Sequence, residues 1–543
     1  MKRKLLCVVM DGVGESDSDF GNAFQQSFTP NLDSLKRSTL YRTIYAHGTH
    51  VGLPSDNDIG NSEVGHNAIG AGKIYEQGAK LVQNSIAAGT LFEGKVWQDM
   101  LKKIIDSKST LHFLGLLSDG NVHSHLDHLF AMVERAVREG VRKIRIHTLL
   151  DGRDVAERSA EKYVEQLNKF ISALPDSANV KIASGGGRMT TTMDRYEADW
   201  TVVERGWKAH VFGEADCEFS SIDEALVHFR KDEDLTDQYL PPFVIKDSNG
   251  PVGTINDGDG VIFTNFRGDR AIEISRAFTE SDDEFNGFKR GKVPKVYFAG
   301  MMQYDGDLKI PANFLVTPPS ILGTLGEHFA SSGVSQFACS ETQKYGHVTF
   351  FWNGNRSGKF DDKLEKYVEV PSDVIEFNQR PWMKSEEICQ ETISAMKSPD
   401  FQFGRINFAN GDMVGHTGDF AATVVAVGAV DLMIGKLVIA ASQTDTILLI
   451  TADHGNCDEM FDEKESDFPN WRQFDLKNKP KPKTSHTKNK VPCLVFDPRN
   501  AANQWKWNDM ENSGLGNLAS TICLLMGESA PKDSMPSLLA ASK

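Results

Sequence analysis

Three aspartates and three histidines stand in glycine-containing or loop-like turns of this chain. Asp11 precedes Gly12 after an apolar run, Asp412 and His416 lie in NGDMVGHTG, Asp453 and His454 in TADHGN, and His486 in TSHT. Carboxylate and imidazole together suit divalent ions such as Mn²⁺, Co²⁺ or Zn²⁺. Taken singly, each residue has a plainer reading: a strand-end Asp forms turns or caps helices, and a His in a lysine-rich loop is simply exposed. The set as a whole points to a bound metal pair. Asp453 and His454 are adjacent, and neighbours on a strand face opposite ways. Both reach one site only if the strand has ended, and Gly455-Asn456 supply that turn. Gly411, Gly415 and Gly418 predict a compact loop around Asp412 rather than a continuous helix.

Ser62 sits in GNSEVGHNAIGAG (60–72), just before an apolar stretch. That placement predicts a helix N-terminus, where free amides favour an anion. Ser62 alone reads as an N-cap, with Glu63 early in the helix. Beside two metal ions its hydroxyl becomes a candidate nucleophile toward phosphorus. The motif is not a G-x-S-x-G elbow, and no Ser-His-Asp triad is evident. A second set, His123, Arg153, Arg188, Arg195, Arg267 and Arg270, falls in or after strand-end turns. One Arg by itself is a surface salt bridge. Their recurrence predicts a shared pocket for a small polyanion, because guanidinium forks grip phosphate and carboxylate bidentately. Asp154, beside Arg153, is the acid–base candidate there. Lys344, in ETQKYGHVTFFWNG, is placed to reach a transferring phosphoryl group.

Elements must hold these residues. Apolar runs at Leu5–Met10, Leu111–Leu117, Lys143–Leu150, Val180–Ser184, Gly260–Asn265, Val296–Ala299, Gln336–Cys339, Arg405–Ala409, Thr446–Thr451 and Val491–Phe496 read as buried strands. Amphipathic stretches such as Leu126–Glu139, Glu157–Leu174 and Phe420–Ser442 read as helices. The alternation predicts α/β architecture with mostly parallel sheets, and ligand groups then gather past the carboxyl ends of strands. The Asp/His/Ser-rich turns fall near 11–66 and 412–486 and the Arg-rich turns between 118 and 270. Two domains follow: residues 1–88 with 319–543, and an insertion at 89–318. The expected joints are Ala87-Ala88-Gly89 and Val316-Thr317-Pro318-Pro319.

The 543 residues carry 75 acidic against 59 Lys plus Arg, a formal net charge of −16, which disfavours a nucleic-acid binder. The 7 cysteines are scattered without a C-x-x-C pair, as in a reduced cytoplasmic chain. The N-terminal apolar run breaks at Asp11, so it reads as a strand rather than a signal peptide. The window FAATVVAVGAVDLMIGKLVIAA contains Asp431 and Lys436 and reads as a buried helix, giving no membrane role. The run KNKPKPKTSHTKNK (477–490) reads as a solvated loop.

The motifs NSEVGHNAIGAG, DGRD, FRGDR, GDMVGHTG and TADHGN, in that order over nearly the whole chain, resemble the cofactor-independent phosphoglycerate mutases of the alkaline-phosphatase superfamily. Insertions around 281–290 and 462–483 resemble the trypanosomatid or plant branch. The resemblance implies an alkaline-phosphatase-like metal-binding domain interrupted by an inserted α/β phosphotransferase domain. It implies one metal site from Asp412, His416 and His486 and a second from Asp11, Ser62, Asp453 and His454. Mn²⁺ or Co²⁺ is favoured, Mg²⁺ or Zn²⁺ is open, and no 2,3-bisphosphoglycerate is needed. Ser62, Asp154 and Lys344 become catalytic, with Ser62 phosphorylated during turnover. His123, Arg153, Asp154, Arg188, Arg195, Arg267, Arg270 and Lys344 hold 3-phosphoglycerate or 2-phosphoglycerate. The loop GGGRMTTTMDR is longer than usual in the family, which leaves open whether Arg188 and Arg195 both contact substrate. A monomer is the family default, and closure about the two joints is the expected gate. The rivals are another phosphatase-like enzyme with the same ligand set (hydrolase, sulfatase, phosphodiesterase or phosphopentomutase) and an inactive binding protein.

Overall fold

A computed structural model describes residues 3–53, 56–76, 78–175, 177–195, 197–305, 308–317, 321–473, 480–499 and 504–542. The chain forms two compact units, Met1–Gln77 with Ser320–Lys543, and Gly78–Pro319. The helix Gly78–Ala88, expected on the near side of the Ala87-Ala88-Gly89 joint, groups with the second unit. Gly89, in the left-handed region (φ +79°), links it to the next short helix, Thr90–Glu93. Pro318-Pro319 of the other expected joint lie outside the described residues, as do residues 477–479 of the charged run.

The first unit is built on a seven-stranded sheet ordered Glu365–Val370, Gln336–Glu341, Phe403–Phe408, Lys4–Met10, Thr446–Thr451, Val491–Phe496 and Leu40–Ile44. The first five run parallel, and the last two join antiparallel. The central strands Lys4–Met10, Phe403–Phe408 and Thr446–Thr451 are buried almost throughout, as parallel strands covered on both faces must be. Their carboxyl ends therefore open onto the turns at Asp11, Asn410–Gly415 and Asp453. The expected strand Arg405–Ala409 is shifted to Phe403–Phe408, with Ala409 capping the following helix. Two edge strands, LYRTI and EKYVEV, carry no long apolar run because edges need not be buried on both faces.

The helix Phe420–Thr444 is long and apolar enough by composition to cross a membrane, with 50% of that window buried within the protein. Its buried Asp431 is not an unpaired charge. It accepts hydrogen bonds from Asn31 Nδ2 at 2.8 Å and the Leu32 amide at 2.8 Å, and Lys436 pairs with Glu386.

The second unit is built on a nine-stranded sheet with its own apolar core. Eight strands follow the order Phe314–Val316, Tyr297–Met302, Gly260–Phe263, Leu111–Leu117, Lys143–Leu150, Asn179–Gly187, Phe243–Asp247 and Cys217–Phe219. The 179–187 strand runs on through Gly185-Gly186-Gly187, past the expected end at Ser184. Side chains have no room there: a Cβ on Gly185 would lie 2.5 Å from the Phe243 ring, and one on Gly187 2.4 Å from the Gln238 carbonyl.

Candidate active site

Three strand ends and one helix build the Asp/His cluster of the first unit. Asp11 follows Lys4–Met10 directly, and Gly12, at φ +75°, lets the turn press against Asp412, whose amide would lie 2.6 Å from any Cβ. Asp453 and His454 follow the strand that ends at Thr451, so both turn inward as the spacing required. Asp412 corrects the expected loop: Asn410–Gly415 is a short α-helix, with Asp412 in its first turn. Its glycines serve close packing there, since a Cβ on Gly411 would lie 2.7 Å from the Asp11 carbonyl. Ser62 is likewise not the N-cap. Asn61 caps the helix Ser62–Ala71 by accepting the Val64 amide at 3.2 Å, and Ser62 is the first helical residue. His486 is buried, against the expectation of a wholly solvated loop. Bridges at Gly455–Thr487 and Phe461–Pro482 pin that segment down.

The ligand atoms fall into two trios, Asp412, His416, His486 and Asp11, Asp453, His454, each with its atoms within 4.8 Å of one another. His486 Nε2 and His416 Nε2 are 2.9 Å apart, and each is 3.0 Å from Asp412 Oδ1. The opposite ring nitrogens face carbonyls, His416 Nδ1 that of Thr484 at 2.7 Å and His486 Nδ1 that of Gly60 at 2.8 Å. A carbonyl only accepts, so each neutral ring carries its proton at Nδ1 and presents a lone pair at Nε2. Two imidazole lone pairs and a carboxylate oxygen at that spacing repel unless a cation lies among them. The donor set fits a divalent transition ion.

In the second trio, His454 Nε2 lies 3.4 Å from Asp11 Oδ1 and 3.8 Å from Asp453 Oδ2. Ser62 Oγ is 2.9 Å from His454 Nε2 and 3.3 Å from Asp11 Oδ1. Lys344 Nζ reaches Asp11 at 2.7 Å, Asp412 at 2.7 Å and Ser62 Oγ at 2.5 Å, joining both trios to the hydroxyl. Burial alone would raise the Asp412 and Asp453 carboxyls. Lys344 outweighs it at Asp412, and His454, His66 and Lys344 at Asp453, so both lie well below the usual carboxylate range. Burial alone would lower His454, but Asp453, Asp11 and Asp412 raise it to about 9.

Two supporting residues had no role in the sequence reading. His66 Nδ1 is 2.8 Å from the Ser62 carbonyl and 3.2 Å from Asp453 Oδ2. Asn407 Nδ2 donates to Asp11 Oδ2 at 2.6 Å and lies 3.2 Å from His66 Nε2. His66 stands one helical turn after Ser62, a spacing visible in the sequence. Asn407 lies mid-strand, with nothing to mark it.

The Arg-rich set gathers in the second unit, and all six residues are buried together with Asp154. Two aspartates, quoted in motifs but given no role, organise it. Asp151 accepts from Ser118 Oγ at 2.6 Å, from the Asp154 amide at 3.0 Å and from Arg188 at 2.8 Å, and Arg188 also pairs with Asp154. Asp269 takes Arg267 at 2.9 Å and Arg195 at 3.5 Å, with His123 Nδ1 3.7 Å away. Arg270 donates to the Met193 carbonyl at 2.5 Å. Burial, with Arg188, Arg267, Arg270 and Arg195, pushes His123 well below its usual value, so it is a neutral hydrogen-bonding group and not a further cation. Burial and the repulsion of Arg195, Arg188 and Arg153 push Arg270 down as well. Guanidinium does not give up its proton; the repulsion becomes affinity for an anion.

A family model described as the N-terminus of the BPG-independent PGAM matches residues 82–306. A Leptospira interrogans protein named probable 2,3-bisphosphoglycerate-independent phosphoglycerate mutase is 52% identical over 99% of this chain and 97% of its own. The Trypanosoma brucei brucei 2,3-bisphosphoglycerate-independent phosphoglycerate mutase is 47% identical over the same shares, 99% and 97%. A crystal structure of Leishmania mexicana phosphoglycerate mutase at low cobalt concentration matches with a TM-score of 0.95 and 46% identity, covering 100% of this chain and 98% of that one. With relatives of this identity along its whole length, the chain belongs to the 2,3-bisphosphoglycerate-independent phosphoglycerate mutases.

Proposed function

We propose that the protein interconverts 3-phosphoglycerate and 2-phosphoglycerate by two phosphoryl transfers through a phosphoserine at Ser62, without 2,3-bisphosphoglycerate. The enzyme is thereby an isomerase of glycolysis and gluconeogenesis. The observation that carries this reading is Ser62 Oγ at the first turn of a helix, within hydrogen-bonding distance of His454 and of Lys344, which itself pairs with Asp11 of one Asp/His trio and Asp412 of the other.

Asp412, His416 and His486 would hold one divalent cation and Asp11, Ser62, Asp453 and His454 a second, with Mn²⁺ or Co²⁺ favoured, and the pair would supply positive charge that acidifies a hydroxyl and neutralises phosphoryl oxygens. Lys344 donates to Ser62 Oγ and so favours the deprotonated oxygen. Ser62 Oγ attacks phosphorus, the bond from phosphorus to the glycerate 3-oxygen breaks, and Asp154 delivers a proton to that oxygen. Glycerate turns while His123, Arg153, Arg188, Arg195, Arg267 and Arg270 hold it. Its 2-hydroxyl gives its proton to Asp154 and takes the phosphoryl group, restoring Ser62. Such transfers depend on positioning and charge neutralisation more than on covalent chemistry by the protein. A buried anion pocket limits the water that would otherwise hydrolyse phosphoserine.

The cytoplasm is the proposed compartment, supported by seven unpaired cysteines, and a monomer is the proposed state. The test couples the protein to enolase with 3-phosphoglycerate and no bisphosphoglycerate. Phosphoenolpyruvate is the expected product, whereas release of free phosphate would replace this reading with a hydrolase.

A further inference from the structure

A buried chain of hydrogen bonds runs through the second unit, outside the groups used above. It starts at Asp259, whose carboxylate accepts the Thr110 and Asn256 amides, each at 2.8 Å, and lies 3.3 Å from His112 Nε2. His112 Nδ1 is 2.9 Å from His147 Nε2, and His147 Nδ1 is 2.7 Å from Ser184 Oγ. Ser184 Oγ is 2.7 Å from His210 Nδ1, and His210 Nε2 is 2.9 Å from Thr192 Oγ1. Asp259 is 5% exposed and every other member at most 1%. Bulk water therefore does not compete for these partners.

Proton counting gives the chain a direction. Ionised Asp259 only accepts, so His112 carries its proton at Nε2 and accepts at Nδ1. His147 must then donate from Nε2 and accept at Nδ1 from the Ser184 hydroxyl. Ser184 in turn accepts from His210 Nδ1, and His210 Nε2 accepts the Thr192 hydroxyl proton. With three neutral imidazoles and an ionised Asp259, this is the one order in which every contact pairs a donor with an acceptor. Burial favours the neutral rings: it pushes His147 well down, His210 to about 3, and His112 down despite Asp259.

The far end meets the anion cluster. Thr192 lies in the left-handed region (φ +69°), which a β-branched residue adopts only when its surroundings hold it there. Its amide donates to the Val202 carbonyl at 2.8 Å, and Gly206 packs so closely that a Cβ would lie 2.0 Å from Thr192 Oγ1. The next residue, Met193, offers its carbonyl to Arg270, while Arg188 and Arg195 flank the same segment.

We propose that this directed wire is a positioning device for the anion pocket: through Thr192 it fixes the segment that sets Arg188, Arg195 and Arg270 for a substrate bearing phosphate and carboxylate. His210 and Thr192 are then positioning residues. The inference rests on the reading that these arginines hold phosphoglycerate.

The test has two arms. Nitrogen-15 NMR of the full chain reads the tautomers directly: His112 and His147 are expected protonated at Nε2 and His210 at Nδ1. The opposite tautomer at any of the three would overturn the directed chain. In the second arm, Thr192→Val removes the hydroxyl at constant shape and Thr192→Ser keeps it. The Val form is expected to raise KM for 3-phosphoglycerate about tenfold, the scale of one lost hydrogen bond, while kcat moves little and the Ser form returns to near wild type. An unchanged KM in a Val form that melts with the wild type would overturn the positioning role. If Thr192→Val does not fold, His210→Gln, which can offer an acceptor near the Nε2 position, is compared with His210→Ala: a KM raised only in the Ala form supports the role, and equal KM values overturn it. Should wild-type protein turn over no substrate, the mutase reading falls separately. The tautomers, and calorimetry of 3-phosphoglycerate binding to both Thr192 variants, would still decide the wire.

Discussion

Lys344 is the cation that keeps Asp11 and Asp412 from facing Ser62 as unneutralised charge. Replacing it by Met keeps length and removes charge; kcat is expected to fall by roughly 10²–10³, the range for losing one preorganised electrostatic group, with KM less affected. Steady-state kinetics on the metal-loaded variant checks this, and a kcat within twofold of wild type would remove Lys344 from the catalytic set. Ser62→Ala should lose turnover by a larger factor, on the order of 10⁴ or more. It should still melt cooperatively and bind Mn²⁺, because Asp11, Asp453 and His454 remain. Retained turnover would exclude the phosphoserine. Ser62 and the Asp/His set were legible because three Asp, three His and a Ser recur together in turns, although each singly is an ordinary turn or cap residue. Asn407 was not, since an amide inside a strand becomes supporting only when the fold sets it 2.6 Å from Asp11.

At the scale of elements, Glu341 ends the strand Gln336–Glu341 and is the N-cap residue of the helix Thr342–Gly346 that carries Lys344. Burial raises its carboxyl to about 8, partly offset by the Ser372 hydrogen bond and Lys384. A raised acid in the folded state means the unfolded chain releases its proton first, near 4.5. Stability should therefore fall as pH rises from about 4.5 to about 8 and level off above, by on the order of 1 kcal/mol or more. Denaturant melts across that window should be flatter for Glu341→Gln; parallel curves would show that Glu341 does not titrate there. The helix after Ser62 gives a second test. Gly65 lies in its interior, where Ala normally stabilises by about 1 kcal/mol. Here a Cβ would lie 2.6 Å from the Asp453 carbonyl, so Gly65→Ala should instead destabilise by roughly 1–3 kcal/mol and lower metal affinity. A raised melting temperature would contradict that close approach. The sequence supplied ten strands of the two sheets from their apolar runs, left out six edge or short strands such as Leu40–Ile44, Glu365–Val370 and Phe243–Asp247, and read the short helix at Asn410–Gly415 as a loop. Glycine content argues against helix in isolation, and only packing against Asp11 and Asn456 makes those glycines an advantage.

For the whole molecule, chelation should abolish turnover and Mn²⁺ or Co²⁺ should restore it, measured in the enolase-coupled assay; activity surviving exhaustive chelation would exclude a metal-assisted transfer. If substrate drives a domain motion, small-angle scattering should change on adding 3-phosphoglycerate to the metal-loaded enzyme, and superimposable curves would count against gating. The sequence by itself determined the α/β class, the family and which residues make up the Asp/His and Arg-rich sets, because these are statements about residue type, order and local period. Tertiary structure alone decided that the helix Gly78–Ala88 packs with the second unit, that His486 is buried, and that Asp151 and Asp269 organise the arginines. It alone linked Asp259 to Thr192 through three histidines, at positions 112, 147 and 210. Those facts depend on contacts between residues tens to hundreds of positions apart, and local pattern carries no information about such contacts.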